Sequence, residues 1–258
     1  MEINKSARKL VCAMSLAFAF VGVNAFADAH EAPPPPGALE GFFCSYNDGK
    51  DRGDLDAATD FYQKQAAKAG IDLPDAFLWT ANKGQVGVDI AWFNVYESLV
   101  AFGEADDASL GSTEMAATQA RFDSVGSCNT VLGAVTPVYQ GETEPAFDGS
   151  TSVATYACNL RPGVGFGSLG DLNDHIAAFN AGMGEDALSA VFQVVPQVGD
   201  QRTPDVVLFA VSEGTTAWTR HLNAIATTPA GQATARHFNA VLDCGVNLWR
   251  VEQIVGGE

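Results

Sequence analysis

The chain has 258 residues, 14 Lys and Arg against 31 Asp and Glu, and a formal net charge of −17. So acidic a surface repels nucleic acid and anionic lipid, and excludes both as partners. Its hydrophobic residues, 47% of the chain, are enough to bury one large or two small cores.

The first 27 residues read as a secretory signal peptide. Lys5, Arg8 and Lys9 precede an apolar run that ends in Ala25-Phe26-Ala27, a small-x-small cleavage pattern. Export to the periplasm or the exterior follows, with no membrane attachment after cleavage. Residues 28–39 contain "EAPPPPG" and read as an extended, proline-rich arm. "LEGFFCSY" predicts a strand, and "NDG" at 47–49 a turn. Asp54 can cap a helix over 55–69, which Gly70 can end. Strands are predicted at 75–81 and 86–96, a helical turn at Ser98–Gly103, a helix at 112–126, and a strand from Cys128. Residues 135–152, rich in Pro, Gly and Ser, read as a linker. Beyond it, strands near 154–160, 188–195, 204–211 and 245–254 alternate with helices near 170–181 and 230–242.

The two series repeat one another. With the chain moved by 116 positions, Gln85–Cys128 falls on Gln201–Cys244, and Asp89, Phe93, Val95, Phe122 and Cys128 are among the identities. "GDL" occurs at 53–55 and again at 170–172, ahead of each first helix. Residues 40–134 and 153–258 are therefore expected to be tandem β-α-β-β-α-β units of ferredoxin-like, α+β type. Cys44, Cys128, Cys158 and Cys244 follow the signal peptide, an even number that in an exported chain suggests two disulfides. In the ferredoxin-like arrangement the last strand lies antiparallel to the first. That brings Cys44 to Cys128 and Cys158 to Cys244, one bridge per repeat.

Helices cover one face of each sheet, so the other face must be buried too. Phe43, Ser45, Ile90, Trp92 and Asn94 are assigned to that uncovered face, with Ala157, Asn159, Val206, Leu208 and Ala210 as their partners in the second repeat. Two such sheets would pack face to face. In element order and duplication the chain resembles the dimeric α+β-barrel superfamily, which includes antibiotic-biosynthesis-type monooxygenases, stress-responsive barrel proteins and some haem enzymes. The resemblance implies a pseudo-dimeric α+β barrel. No catalytic motif of that superfamily is matched, so no residue role carries over.

Local motifs add little. "GFGSLG" at 165–170 has the glycine spacing of a dinucleotide loop, but no acid ends the following strand. The acidic loops lack the spacing of a calcium site, and no cysteine pair is close enough for a metal knuckle. His30 lies in the arm; His175, His221 and His237 have no histidine counterparts in the first repeat, and none is assigned a role. Aromatic residues mark the first repeat instead: Tyr46, Trp79 and Trp92, beside Asn47 and Asn94, where Gln193 and Leu208 replace Trp79 and Trp92 in the second. An apolar cavity with a few polar groups suits a small ligand. Phe43, Ser45, Asn47, Trp79, Trp92, Asn94, Asn159 and Gln193 are its candidate lining. The expected function is an exported, non-catalytic module that binds a small apolar or aromatic ligand, or a protein partner, with no metal and no cofactor. The alternatives are a barrel-type oxygenase, cofactor-free or haem-using, and a purely structural surface protein.

Overall fold

Four of the six described α-helices begin where a side-chain oxygen accepts their first amides. In a computed structural model that describes residues 36–84, 87–142, 145–200 and 203–256, β1 (Gly37–Tyr46) leads to Asp51. The Asp51 carboxylate accepts from the amides of Gly53 and Asp54, and Asp54 reaches back to the Asp51 amide, a capping box for α1 (Arg52–Ala69). Gly70 ends α1 at φ 68°, a left-handed conformation that glycine adopts without steric cost. Next come β2 (Asp75–Lys83) and β3 (Ile90–Tyr96). Ser98 caps α2 (Leu99–Leu110) and Ser112 caps α3 (Thr113–Val125), which runs into β4 (Gly126–Gln140). The second repeat follows with β5 (Asp148–Leu160), α4 (Ser168–Ala181), β6 (Ala190–Val198), β7 (Val206–Ser212), α5 (Thr215–Thr227), α6 (Pro229–Val241) and β8 (Leu242–Val255).

Some elements differ from the sequence expectation. The helical turn at 98–103 is a three-turn helix, α2, and its partner α5 was not foreseen. Gly103 and three acids in α2, and four Thr in α5, weaken the helical signal that Ser98 and tertiary packing restore. The segment 135–152, read as a linker, contributes strand at both ends. The signal peptide and most of the proline-rich arm lie outside the described residues.

All strand pairs are antiparallel, and the eight strands close a barrel in the order β1-β3-β2-β8-β5-β7-β6-β4. Each repeat thus contributes a ferredoxin-like sheet, β4-β1-β3-β2 or β8-β5-β7-β6. The sheets face one another and are also bonded edge to edge, β2 to β8 and β4 to β6, so no edge is left open. The duplication extends to register: Glu40 lies opposite Asn94 in the first sheet, and Ala154 opposite Ala210 in the second.

Three apolar layers result. The barrel interior is an aromatic cluster centred on Trp79, whose ring lies 4.5 Å from Phe93, 5.0 Å from Phe209 and 6.1 Å from Trp249. Gly41 faces Phe93 in the ladder, and a Cβ there would lie 2.7 Å from the Phe93 ring, so glycine makes room for it. The other two layers lie outside the barrel, under the helices of each repeat. Cys44 pairs with Cys128 across β1 and β4, and Cys158 with Cys244 across β5 and β8, at Cα separations of 4.1 and 4.0 Å. Each repeat holds one bridge, between directly opposed residues, as expected. No described helix is long and apolar enough to cross a membrane.

Candidate functional site

Alternation along a strand decides which layer each side chain enters. In β3, Ala91 and Phe93 enter the barrel, whereas Ile90 and Trp92 enter the layer under the first repeat's helices. Ile90, Trp92 and Asn94 were expected between the sheets, so this is a reversal by one residue. Its cause is physical. Both faces of these strands are buried, so hydrophobicity does not tell them apart. Val206, Leu208 and Ala210 likewise lie on the helix side of the second sheet. Gln193 does not stand in the place of Trp79. Trp79 pairs with Ala91 and Val194 with Val207, so Val194 is the inward counterpart, and Gln193 shares the outer face with Val191 and Val195.

Of the remaining candidates, Phe43 and Trp79 are packed in the barrel interior. Ser45 and Asn159 are exposed near the ends of β1 and β5. Asn47 caps the first repeat's far side: its side-chain amide donates to the Asp123 carbonyl at 2.9 Å and its backbone amide to Val125 at 2.9 Å.

Asn47, Trp92 and Asn94 do meet, in a cavity of about 870 Å³ between the first sheet and its helices. The sheet supplies the floor: Glu40 and Phe42 from β1, and Trp92, Asn94 and Tyr96 from β3. Tyr62 of α1, Phe102 of α2 and Phe122 of α3 form the walls. The rings stand edge to face, Trp92 to Phe122 at 5.4 Å, Tyr62 to Phe122 at 6.0 Å and Tyr96 to Phe102 at 5.4 Å. The mouth carries the exposed acids Asp72, Asp106 and Asp123, and no Lys, Arg or His is among the described lining residues.

A polar chain crosses this apolar floor. Trp92 Nε1 donates to Asn94 Oδ1 at 2.6 Å. Asn94 Nδ2 donates to Glu40 Oε2 at 3.0 Å, and the Tyr96 hydroxyl donates to the same oxygen at 3.3 Å. Burial raises the Glu40 pKa; the bonds from Asn94 and Tyr96 oppose that rise, and the charge of Asp106 adds to it. Tyr96 is pushed far up, first by burial and then by the Glu40 charge, so its phenol keeps its proton and stays a donor. Tyr62 is pushed up to about 12, for the same two reasons. The arrangement holds a proton acceptor of raised basicity, aimed by two donors, within an aromatic box. Glu40, Tyr62 and Tyr96 were not singled out by the sequence reading. A charged residue in the predicted strand "LEGFFCSY" was the available signal.

The second repeat acts as an internal control. At the positions matched by ladder register, Glu40, Trp92, Asn94 and Tyr96 become Ala154, Leu208, Ala210 and Ser212. The scaffold closes with those residues, so it does not require the polar chain.

Haem can be tested against both helix-side cavities. The first offers no imidazole, and its two cysteines are joined to each other. Its carboxylates would repel haem propionates. The second cavity, about 340 Å³, contains His221 but no Lys or Arg among its described lining residues. Neither residue set fits haem. Among the described residues no group of three or more His, Cys, Asp or Glu is placed to hold a metal.

Solved structures share this fold. A candidate monooxygenase of Fusobacterium nucleatum superposes with a TM-score of 0.56 at 12% identity, over 86% of this chain and 94% of that one. An anthrone oxidase-like protein gives 0.52 at 11% identity, over 86% and 94%. A candidate chlorite dismutase gives 0.50 at 10%, over 85% and 96%. No protein-family model matches the sequence, and no curated protein sequence does. The chain therefore has the dimeric α+β-barrel fold, built from two repeats within one polypeptide. The names of these structures are those of oxidative enzymes, which corrects the expectation of a non-catalytic module in favour of its alternative. The polar groups lining the first repeat's cavity come from separate strands and meet only across the ladder, so no local sequence motif marks them.

Proposed function

We propose that the protein is an exported, cofactor-free oxygenase of the barrel type, acting on a small aromatic substrate in the first repeat's cavity. The observation that carries this is the Glu40-Asn94-Tyr96-Trp92 chain on the cavity floor, present in one repeat and replaced by small or apolar residues in the other. The neighbours named for monooxygenase and anthrone oxidase activity support the class of reaction.

Glu40 is the base. A methylene group flanked by aromatic rings loses a proton to its carboxylate, and the ring box holds the flat substrate against Trp92. The resulting carbanion gives an electron pair to dioxygen and forms a C–O bond. The peroxide takes back a proton to become a hydroperoxide. Loss of the remaining C–H proton then breaks the O–O bond, leaving a carbonyl and one water. The substrate supplies all the electrons: R2CH2 and O2 give R2CO and H2O. A base whose pKa is raised toward working pH abstracts a proton more effectively, and such catalysis contributes about 10²- to 10⁴-fold.

The assay is dioxygen uptake with anthrone as the probe. Wild type should consume one O2 per anthrone oxidised. Glu40→Gln, which keeps an acceptor for Asn94 and Tyr96, should lower the rate at least about a hundredfold with no loss of thermal stability. Undiminished uptake in the Gln variant would remove Glu40 from the mechanism. Export rests on the apolar N-terminal segment and the paired cysteines. N-terminal sequencing of the exported protein should begin at Asp28.

A further inference from the structure

The second repeat has its own cavity between sheet and helices, with a different chemistry. Its lining is largely apolar, from residues such as Ile176, Phe179, Leu188, Leu208 and Phe238. Most of its polar groups are committed to the fold. Asn180 donates to the Ile176 carbonyl at 2.9 Å and accepts from the Leu188 amide at 3.2 Å, and Thr234 donates to the Ala230 carbonyl at 3.1 Å. Of the two buried polar side chains among the described lining residues, Asn180 and His221 of α5, His221 is the exception. It is 5% exposed, lines the cavity, and its Nδ1 atom is buried with no hydrogen-bond partner.

Leaving such an atom unpaired costs about 1–3 kcal/mol. The scaffold does not demand a histidine there. The shift of 116 that aligns α2 with α5 places His221 on Ala105, so the first repeat folds with a methyl group at this position. Phe179 packs against the His221 ring at 5.4 Å and fixes one side of it. Burial lowers the His221 pKa to about 4, so the ring is neutral at pH 7 and can form a hydrogen bond without a counter-ion. A volume of about 340 Å³ lies at the small end of ligand pockets.

We infer that this cavity is a second small-molecule site, which takes an apolar ligand of one or two rings carrying a hydroxyl group that bonds to His221 Nδ1. The site is separate from the Glu40 cavity and does not depend on the reaction assigned to it. It also differs in kind from a haem site, since the ligand is neutral and needs no cationic partner.

The test uses p-cresol and its hydroxyl-free counterpart toluene on the full exported protein, followed by NMR of the histidine ring nuclei. His221→Phe, which keeps a ring and removes the nitrogens, assigns the His221 signals. p-Cresol should shift those signals in wild type and in Glu40→Gln alike. It should bind this site about five- to tenfold more tightly than toluene, the range of one neutral hydrogen bond, and His221→Phe should erase that preference. Four results would overturn the inference: no movement of His221 at millimolar p-cresol, equal affinity for both probes, a preference that survives in His221→Phe, or a Soret band on adding haemin that needs His221. Should the Phe variant fail to fold, the wild-type spectra with the two probes decide alone.

Discussion

The two repeats share strand order, ladder register and a disulfide at the same place, yet their helix layers enclose different spaces. In the first repeat α2 has no buried residue, and Met115 of α3 lines a cavity of about 870 Å³. In the second, Gly231 stands at the position of Met115. A Cβ there would lie 2.5 Å from backbone atoms of Ala224 and Ile225, so α6 presses directly onto α5, and the cavity is about 340 Å³. One residue at a helix crossing therefore helps set the width of each chamber. The floor changes with it, from a carboxylate held by two donors to alanines. A duplicated frame can be held constant while one copy's outer layer gains a polar chain that the other lacks.

Variants can break this comparison, beginning with the shared part. The bridges span 84 and 86 residues, so the chain-entropy model assigns each about 4–5 kcal/mol as an upper figure. Cys44→Ala/Cys128→Ala and Cys158→Ala/Cys244→Ala should lose similar stability in denaturant titrations. A large difference would show that the halves are not equivalent as scaffolds.

The titrating groups come next, and they have opposite signs. His221 has a folded pKa of about 4 against an ordinary 6.5, so the unfolded chain binds more protons between those values. Stability should fall as pH drops through that window, by up to about 3 kcal/mol, and His221→Phe should flatten the slope. Glu40 has a raised folded pKa, so its contribution is present at low pH and lost as pH rises through that value. Glu40→Gln should consequently make the protein somewhat more stable at neutral pH, read as a higher Tm. The helix crossing gives the smallest effect: Gly231→Ala should cost about 1–3 kcal/mol through overpacking, whereas Met115→Ala, at the open crossing, should cost less.

Much of the frame was legible in the chain. The repeat placed Cys44, Cys128, Cys158 and Cys244 at matching strand positions, and antiparallel pairing then fixed the bridges. Gly70 and the turn at 47–49 marked real boundaries. The site was legible only in part. Trp92, Asn94 and Asn47 were named, but Trp92 and Asn94 were put on the wrong face, because Ile90-Ala91-Trp92-Phe93 is buried on both sides and alternation carries no sign. Gln193 was matched to Trp79 through a shift one residue off the ladder. Glu40, the group on which the proposed chemistry rests, is 54 residues from Asn94 and meets it only across β1 and β3. Such a pairing is a property of strand register, which local patterns do not express.

The most direct measurement gives the first repeat the second repeat's floor. Glu40→Ala, Trp92→Leu, Asn94→Ala and Tyr96→Ser are combined, and the protein is compared with wild type for folding and for dioxygen uptake with anthrone. The prediction is a folded barrel with both bridges formed, a stability loss within about 3 kcal/mol from the smaller Trp92 replacement, and no uptake above background. A swapped protein that still consumed dioxygen at the wild-type rate, or that could not fold, would contradict the claim that this polar chain serves chemistry and not the scaffold.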